Sequence, residues 1–199
     1  MHRENCVLAF YIFKTLPYFC QMKFKSIAFL IVFLTSTQLC AFQLPKRILK
    51  KVQKELVKTF DQKQLNLVEI TVSEAVNKQL GKQIGKASLF QVVAVDKVLG
   101  YAYIGKAPSK TDQFDYLIIL DKELIIKKSK VLVYREDYGA EIGSKRWLKQ
   151  FIGKSGKDQL KYQRDIMAIS GATISALSMT QAINQFLADL NILHKNNIF

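Results

Sequence analysis

Between residues 44 and 60 apolar side chains recur every three or four positions: Leu49, Val52, Leu56 and Phe60 share one helical face, with Ile48 and Val57 beside it. Lys46, Arg47, Lys50, Lys51, Lys54 and Lys58 fill the other face, so the spacing predicts an amphipathic basic helix. Its lysine face reads either as the solvated back of a core helix or as a surface for anionic lipid or an acidic partner. "NLVEITVSEAVNKQLGK", from Asn66, reads as a turn into a second helix capped by Ser73 and followed by Glu74. The period then drops to two. "LFQVVAV" (89–95) and "VLGYAYI" (98–104) flank Asp96-Lys97 as one hairpin, and "FDYLIIL" (114–120) and "ELIIKKSKVLVYRE" (123–136) flank Asp121-Lys122 as another. "GKAPSKTDQ" between the hairpins is loop by composition.

Beyond the strands, Gly139 and Gly143 bracket a tight loop, and Ser144 can cap a short helix carrying Trp147, Leu148 and Phe151. A last helix over 174–190 has Ile174, Leu177, Ile183, Phe186, Leu187 and Leu190 as its expected buried stripe. Four antiparallel strands with one apolar face need a covering layer, which the helices supply. The expected fold class is α+β: an antiparallel sheet of about four strands covered by helices, in a single domain after an N-terminal signal segment.

That segment begins at Met22. Lys23 and Lys25 precede a short apolar run at 26–34, a polar stretch at 35–38 and the small residue Ala41, the order of an export signal. The run is shorter than the ~20 residues of a comfortable membrane span. The expectation is an exported protein, periplasmic or attached to the outward face of the cytoplasmic membrane, with 22–41 a signal peptide or an uncleaved anchor. Residues 1–21 then read as an upstream extension. Cys6, Cys20 and Cys40 all precede the proposed cut, which removes disulfides, thiolate-held clusters, haem attachment and cysteine zinc sites from the remainder. Of two histidines, His2 falls upstream and His194 reads as surface, so no metal site is expected. The formal charge is +14; residues 1–41 carry four basic and one acidic side chain, leaving +11 downstream. An exported chain meets no genome, so the envelope surface, not nucleic acid, is the expected anionic partner.

The string Ser170, Gly171, Ala172, Thr173 stands where the last helix begins. One reading has Ser170 as N-cap and Thr173 as a first-turn hydroxyl. The other uses the same helix end as a phosphate site: Gly171 lets the backbone approach closely, Ala172 adds almost no bulk, and Thr173 offers its hydroxyl for esterification to a nucleotide phosphate.

"AISGATISA" resembles the attachment motif of the FMN-binding domain family, which includes covalent-FMN subunits of the sodium-pumping NADH:quinone reductase and of the Rnf complex. The strands at 89–136, the "YGAEIG" loop and the "FIGK" turn follow the family's order, so the resemblance covers roughly 87–190, between a helical segment at 42–86 and a tail at 191–199. It implies one FMN held through a phosphoester to Thr173, with Ser170, Gly171 and Ala172 as its motif, attached by a flavin transferase. It further implies an electron-transfer role beside a membrane partner. Glu141 reads as a contact to the ribityl chain or flavin, or as a solvated loop carboxylate. Tyr101, Tyr103, Tyr138 and Trp147 read as core or as ring-stacking aromatics. Family members usually carry an Asp three residues before the motif; this chain has Met167 there and Asp165 two positions earlier, so where attachment needs that carboxylate the expectation is slow attachment or attachment that depends on Asp165. Two rivals stand beside the carrier: a basic envelope module without flavin, and a periplasmic flavin reductase for a small acceptor.

Overall fold

Every residue from Phe114 through Leu120 is buried, the mark of a strand covered on both faces. The computed structural model describes residues 44–199, which fall in one compact unit; the 1–21 and 22–41 segments, with all three cysteines, lie outside the described residues. Strand β1 is Asn66–Glu69, β2 Leu89–Ala94, β3 Lys97–Pro108, β4 Gln113–Leu120 and β5 Ile126–Val133. They form one antiparallel sheet in the order β1-β2-β3-β4-β5.

Helix α1 (Lys46–Phe60) buries Ile48, Val52 and Leu56 on one face of this sheet, against Phe90, Val92, Ala102, Ile104, Leu117 and Ile119. The other face carries Phe114, Tyr116, Ile118 and Leu120 and is covered by α4 (Thr173–Lys195), with α2 (Glu74–Asn77) and α3 (Lys145–Leu148) beside it. The expected single apolar face is therefore two. Asp115 on β4 is buried too, and the Arg135 guanidinium at 2.5 Å answers its charge.

Several boundaries differ from the sequence reading. A fifth strand, β1, forms where only a turn into a helix was expected. The first hairpin turns on Val95 and Asp96, at φ +45° and +62°, because Ala94 pairs with Lys97. Two consecutive left-handed residues are what a twisted two-residue hairpin requires. Strand β3 continues to Pro108, shrinking the expected loop to 109–112, and a five-residue connection replaces the two-residue turn before β5. Helix α4 runs on to Lys195, and Ile198 and Phe199 pack on the core, the Phe199 ring 4.7 Å from Tyr101. Ser73 and Ser144 do cap α2 and α3, accepting from the amides of Val76 and Trp147. Among the described residues no helix is long and apolar enough to cross a membrane.

Candidate functional site

Helix α4 starts from a tight turn. The Ala172 N–H donates to the Ile169 carbonyl at 3.2 Å, and Gly171 between them stands at φ +80°, the third position of a type II turn. That conformation favours glycine. The turn separates Ser170 from the helix, so the N-cap is Ala172 with no side-chain cap, and the expectation of a Ser170 cap fails. Ala176 N–H is the first to reach back, to Ala172 at 2.9 Å. The amides of Thr173, Ile174 and Ser175 find no acceptor among the described residues. Three unpaired N–H groups at the positive end of a 23-residue helix make a place for an anion. The Thr173 side chain is exposed there, its Oγ1 only 3.5 Å from the Ile169 carbonyl.

The opposite wall comes from the chain after β5. The Tyr134 hydroxyl donates to the Tyr138 carbonyl at 2.9 Å and lies 2.9 Å from Ser175 Oγ. Gly139 stands at φ +87°, and a Cβ there would sit 2.6 Å from Tyr134 Oη and 3.6 Å from the Ala172 Cβ. Gly139 and Ala172 are thus small for one reason: loop and helix start are in contact. At the rim, Glu136 Oε1 accepts from Ser109 Oγ (2.6 Å), Thr111 N–H (2.7 Å), Asp112 N–H (3.0 Å) and Thr111 Oγ1 (3.1 Å). The Ser109 bond, then the amides, hold the Glu136 carboxyl far below its usual range, at about 2. This clamp fixes the 109–112 turn that carries Lys110.

Between these walls lies a cleft of about 210 Å³, lined by Lys110, Tyr134, Glu136, Tyr138, Gly171 and Thr173, with Ala172, Ile174 and Ser175 at the helix end. This is below the ~300 Å³ at which whole-ligand pockets begin, so the cleft encloses a phosphate-sized group. The space beside Gly171 is open, with nothing within 4 Å of a built Cβ. The donors fit the phosphate end of a nucleotide.

Other expected residues fall elsewhere. Ser170 is exposed next to the cleft without lining it. Glu141 is exposed on the 3-10 turn Ala140–Gly143 and does not line the cleft. Asp165 staples its own turn, with Arg164 at 3.3 Å and the Lys161 N–H at 2.8 Å; the Arg164 contact and that amide hold its carboxyl below the usual range. Met167 points outward, while its N–H donates to Gln150 Oε1 (2.8 Å) and its carbonyl accepts from the Trp147 indole (2.7 Å). Tyr101, Tyr103 and Trp147 are core, Tyr103 stacking on Phe186 at 3.9 Å; Tyr138 is 85% exposed on the cleft. Of the expected buried stripe, Ile183, Phe186, Leu187 and Leu190 are buried and Ile174 and Leu177 are exposed; Ala176, Met179 and Thr180 are buried in their place. His194 is exposed, lining a separate hollow with Tyr101 and Phe199. No three His, Cys, Asp or Glu side chains gather into a metal site among the described residues. Lys110, Tyr134 and Glu136 carry no spacing signal and were not anticipated.

No curated protein matches the chain significantly. Residues 109–188 match the family described as the FMN-binding domain. That span begins at the Glu136-clamped turn, includes every residue lining the cleft, and is narrower than the 87–190 expected. Donors for a phosphate, and a family-matched segment that contains them all, together support FMN binding by residues 109–188 of this chain.

Proposed function

We propose that this protein is an exported electron carrier whose FMN is joined through its phosphate to Thr173 Oγ1. The observation that carries the reading is the exposed Thr173 hydroxyl beside three unpaired amides, inside the family-matched segment. A phosphodiester left at that oxygen keeps one negative charge, which the helix end and Lys110 favour. Forming it needs a phosphoryl donor with a leaving group. A flavin dinucleotide serves: the Oγ1–P bond forms, the P–O–P bond breaks, AMP departs and the hydroxyl proton passes to a base of the flavin transferase. Bound FMN supplies one- and two-electron transfer. The protein's own part is to hold the phosphate, present Tyr138 and Ile174 at the mouth, and keep the cleft's far wall rigid through Tyr134 and Glu136. The export pattern of 22–41 supports an outward-facing location and a membrane partner as the electron source.

The test is co-expression with a flavin transferase, read by fluorescence that survives denaturing electrophoresis and by intact mass. Wild type should carry one FMN, Thr173→Ala none, and Ser170→Ala the full amount. A bare polypeptide under these conditions removes the covalent reading.

A further inference from the structure

A second concave site lies away from the flavin cleft. A hollow of about 280 Å³ is bounded by Glu55 and Lys58 of α1, Lys128 and Lys130 of β5, and Lys145 and Lys149 near α3, with Leu148 and Ile152 as its apolar part. Elements far apart in sequence thus bring five lysines around one carboxylate. That carboxylate is already taken, since Lys128 Nζ lies 2.7 Å from Glu55. Burial would raise the Glu55 pKa, yet it is lowered, by the Lys128 bond and by Lys128, Lys130 and Lys58 together. The hollow is therefore positive in potential, and Lys58, Lys145 and Lys149 are exposed with no ion pair among the described residues.

Lysines on β5 alone have a plain use, since an edge strand needs charge to discourage pairing with another chain. That use does not ask for Lys58, Lys145 and Lys149 on neighbouring elements. Nor does it explain why Ile152 is 47% exposed among them. Ammonium groups around an exposed aliphatic side chain match a phosphate attached to hydrocarbon. The apolar run at 26–34 ends twelve positions before α1 begins, so a chain that keeps this run brings α1 near a bilayer.

We infer that the lysine-lined hollow between α1, β5 and α3 is a docking site for an anionic phospholipid surface, with phosphates on Lys58, Lys145 and Lys149 and the glycerol and first acyl carbons on Ile152. This goes beyond the flavin reading and does not depend on it. Each lysine near such a surface contributes about a five-fold gain in binding, so losing three costs on the order of 100-fold.

The experiment measures sedimentation of the full chain with phosphatidylglycerol-containing vesicles and with pure phosphatidylcholine vesicles. The apolar run acts on both, so the ratio reports the hollow. In Lys58→Gln/Lys145→Gln/Lys149→Gln the ratio should fall on the order of 100-fold, with an unchanged melting temperature. The charge-matched Lys78→Gln/Lys106→Gln/Lys195→Gln should keep most of it. Equal loss in both triples, or no preference for anionic vesicles in wild type, overturns the proposal. Release by inorganic phosphate at matched ionic strength overturns it in favour of a small-anion site. Binding of a polyglutamate peptide that depends on the same lysines, without vesicle binding, overturns it in favour of an acidic protein. Flavin content enters none of these readouts, so failure here leaves Thr173 untouched.

Discussion

The Tyr134 hydroxyl lies 2.9 Å from Ser175 Oγ and ties the chain just past β5 to the first turn of α4, across 41 residues of sequence. Tyr134 has one hydroxyl hydrogen, and the Tyr138 carbonyl takes it. Ser175 is therefore the donor in the pair. This half-buried contact sets the separation of the two cleft walls.

Tyr134→Phe should leave the Ser175 hydroxyl buried without its partner. The expected cost is about 1–3 kcal/mol in urea unfolding. Flavin loading under transferase co-expression should fall as well, because the Tyr138 loop loses its tether. Unchanged stability and loading would show that the pair does not set the cleft.

Glu136 gives a pH signature. Its carboxyl titrates at about 2 in the folded protein against an ordinary 4.5. A depressed folded pKa means the stabilisation is present above the ordinary value and is lost as pH falls toward about 2. Glu136→Gln should lower melting at neutral pH, where the stabilisation is fully present, and flatten the acid limb of a stability-versus-pH curve, so that the two proteins converge as pH falls toward about 2. A curve parallel to wild type would contradict the clamp.

The two left-handed glycines at the cleft, Gly139 and Gly171, should respond differently. Gly171→Ala meets open space and only backbone strain, about 1–2 kcal/mol. Gly139→Ala adds a Cβ 2.6 Å from Tyr134 Oη, so overpacking adds about 1–3 kcal/mol more. Chemical denaturation of the pair checks the order.

Lys110→Ala removes the only cationic side chain among the described residues that line the cleft. It is exposed, so stability should hold within about 0.5 kcal/mol. The rate of flavin attachment should drop about ten-fold, equivalent to one charge-assisted phosphate contact, and become less salt-sensitive. A rate equal to wild type would place the phosphate elsewhere.

The alternating strands and the capped short helices were legible because each rests on local chemistry, as with Ser73 and Ser144. Strand β1 was not, since its four residues have no buried position and gain their place only by pairing with β2. The stripe of α4 was legible from Ile183 to Leu190 but misjudged at its start, where apolar residues were counted as buried. Ser175 turns inward to meet Tyr134, Ala176 packs beneath the sheet face, and Ile174 and Leu177 are left outside. Thr173 was visible as the end of a short motif. Lys110, Glu136 and Tyr134 were invisible because sheet topology, not spacing, brings the β3–β4 turn and the end of β5 to the helix start.

The type II bend before α4 has a consequence for timing. It holds the threonine oxygen at the outside of an already packed body, so under the proposed attachment a modifying enzyme would meet a finished surface and need not open the chain. On that reading cargo-free and cargo-bearing molecules would share one architecture, and loading would follow the completion of folding.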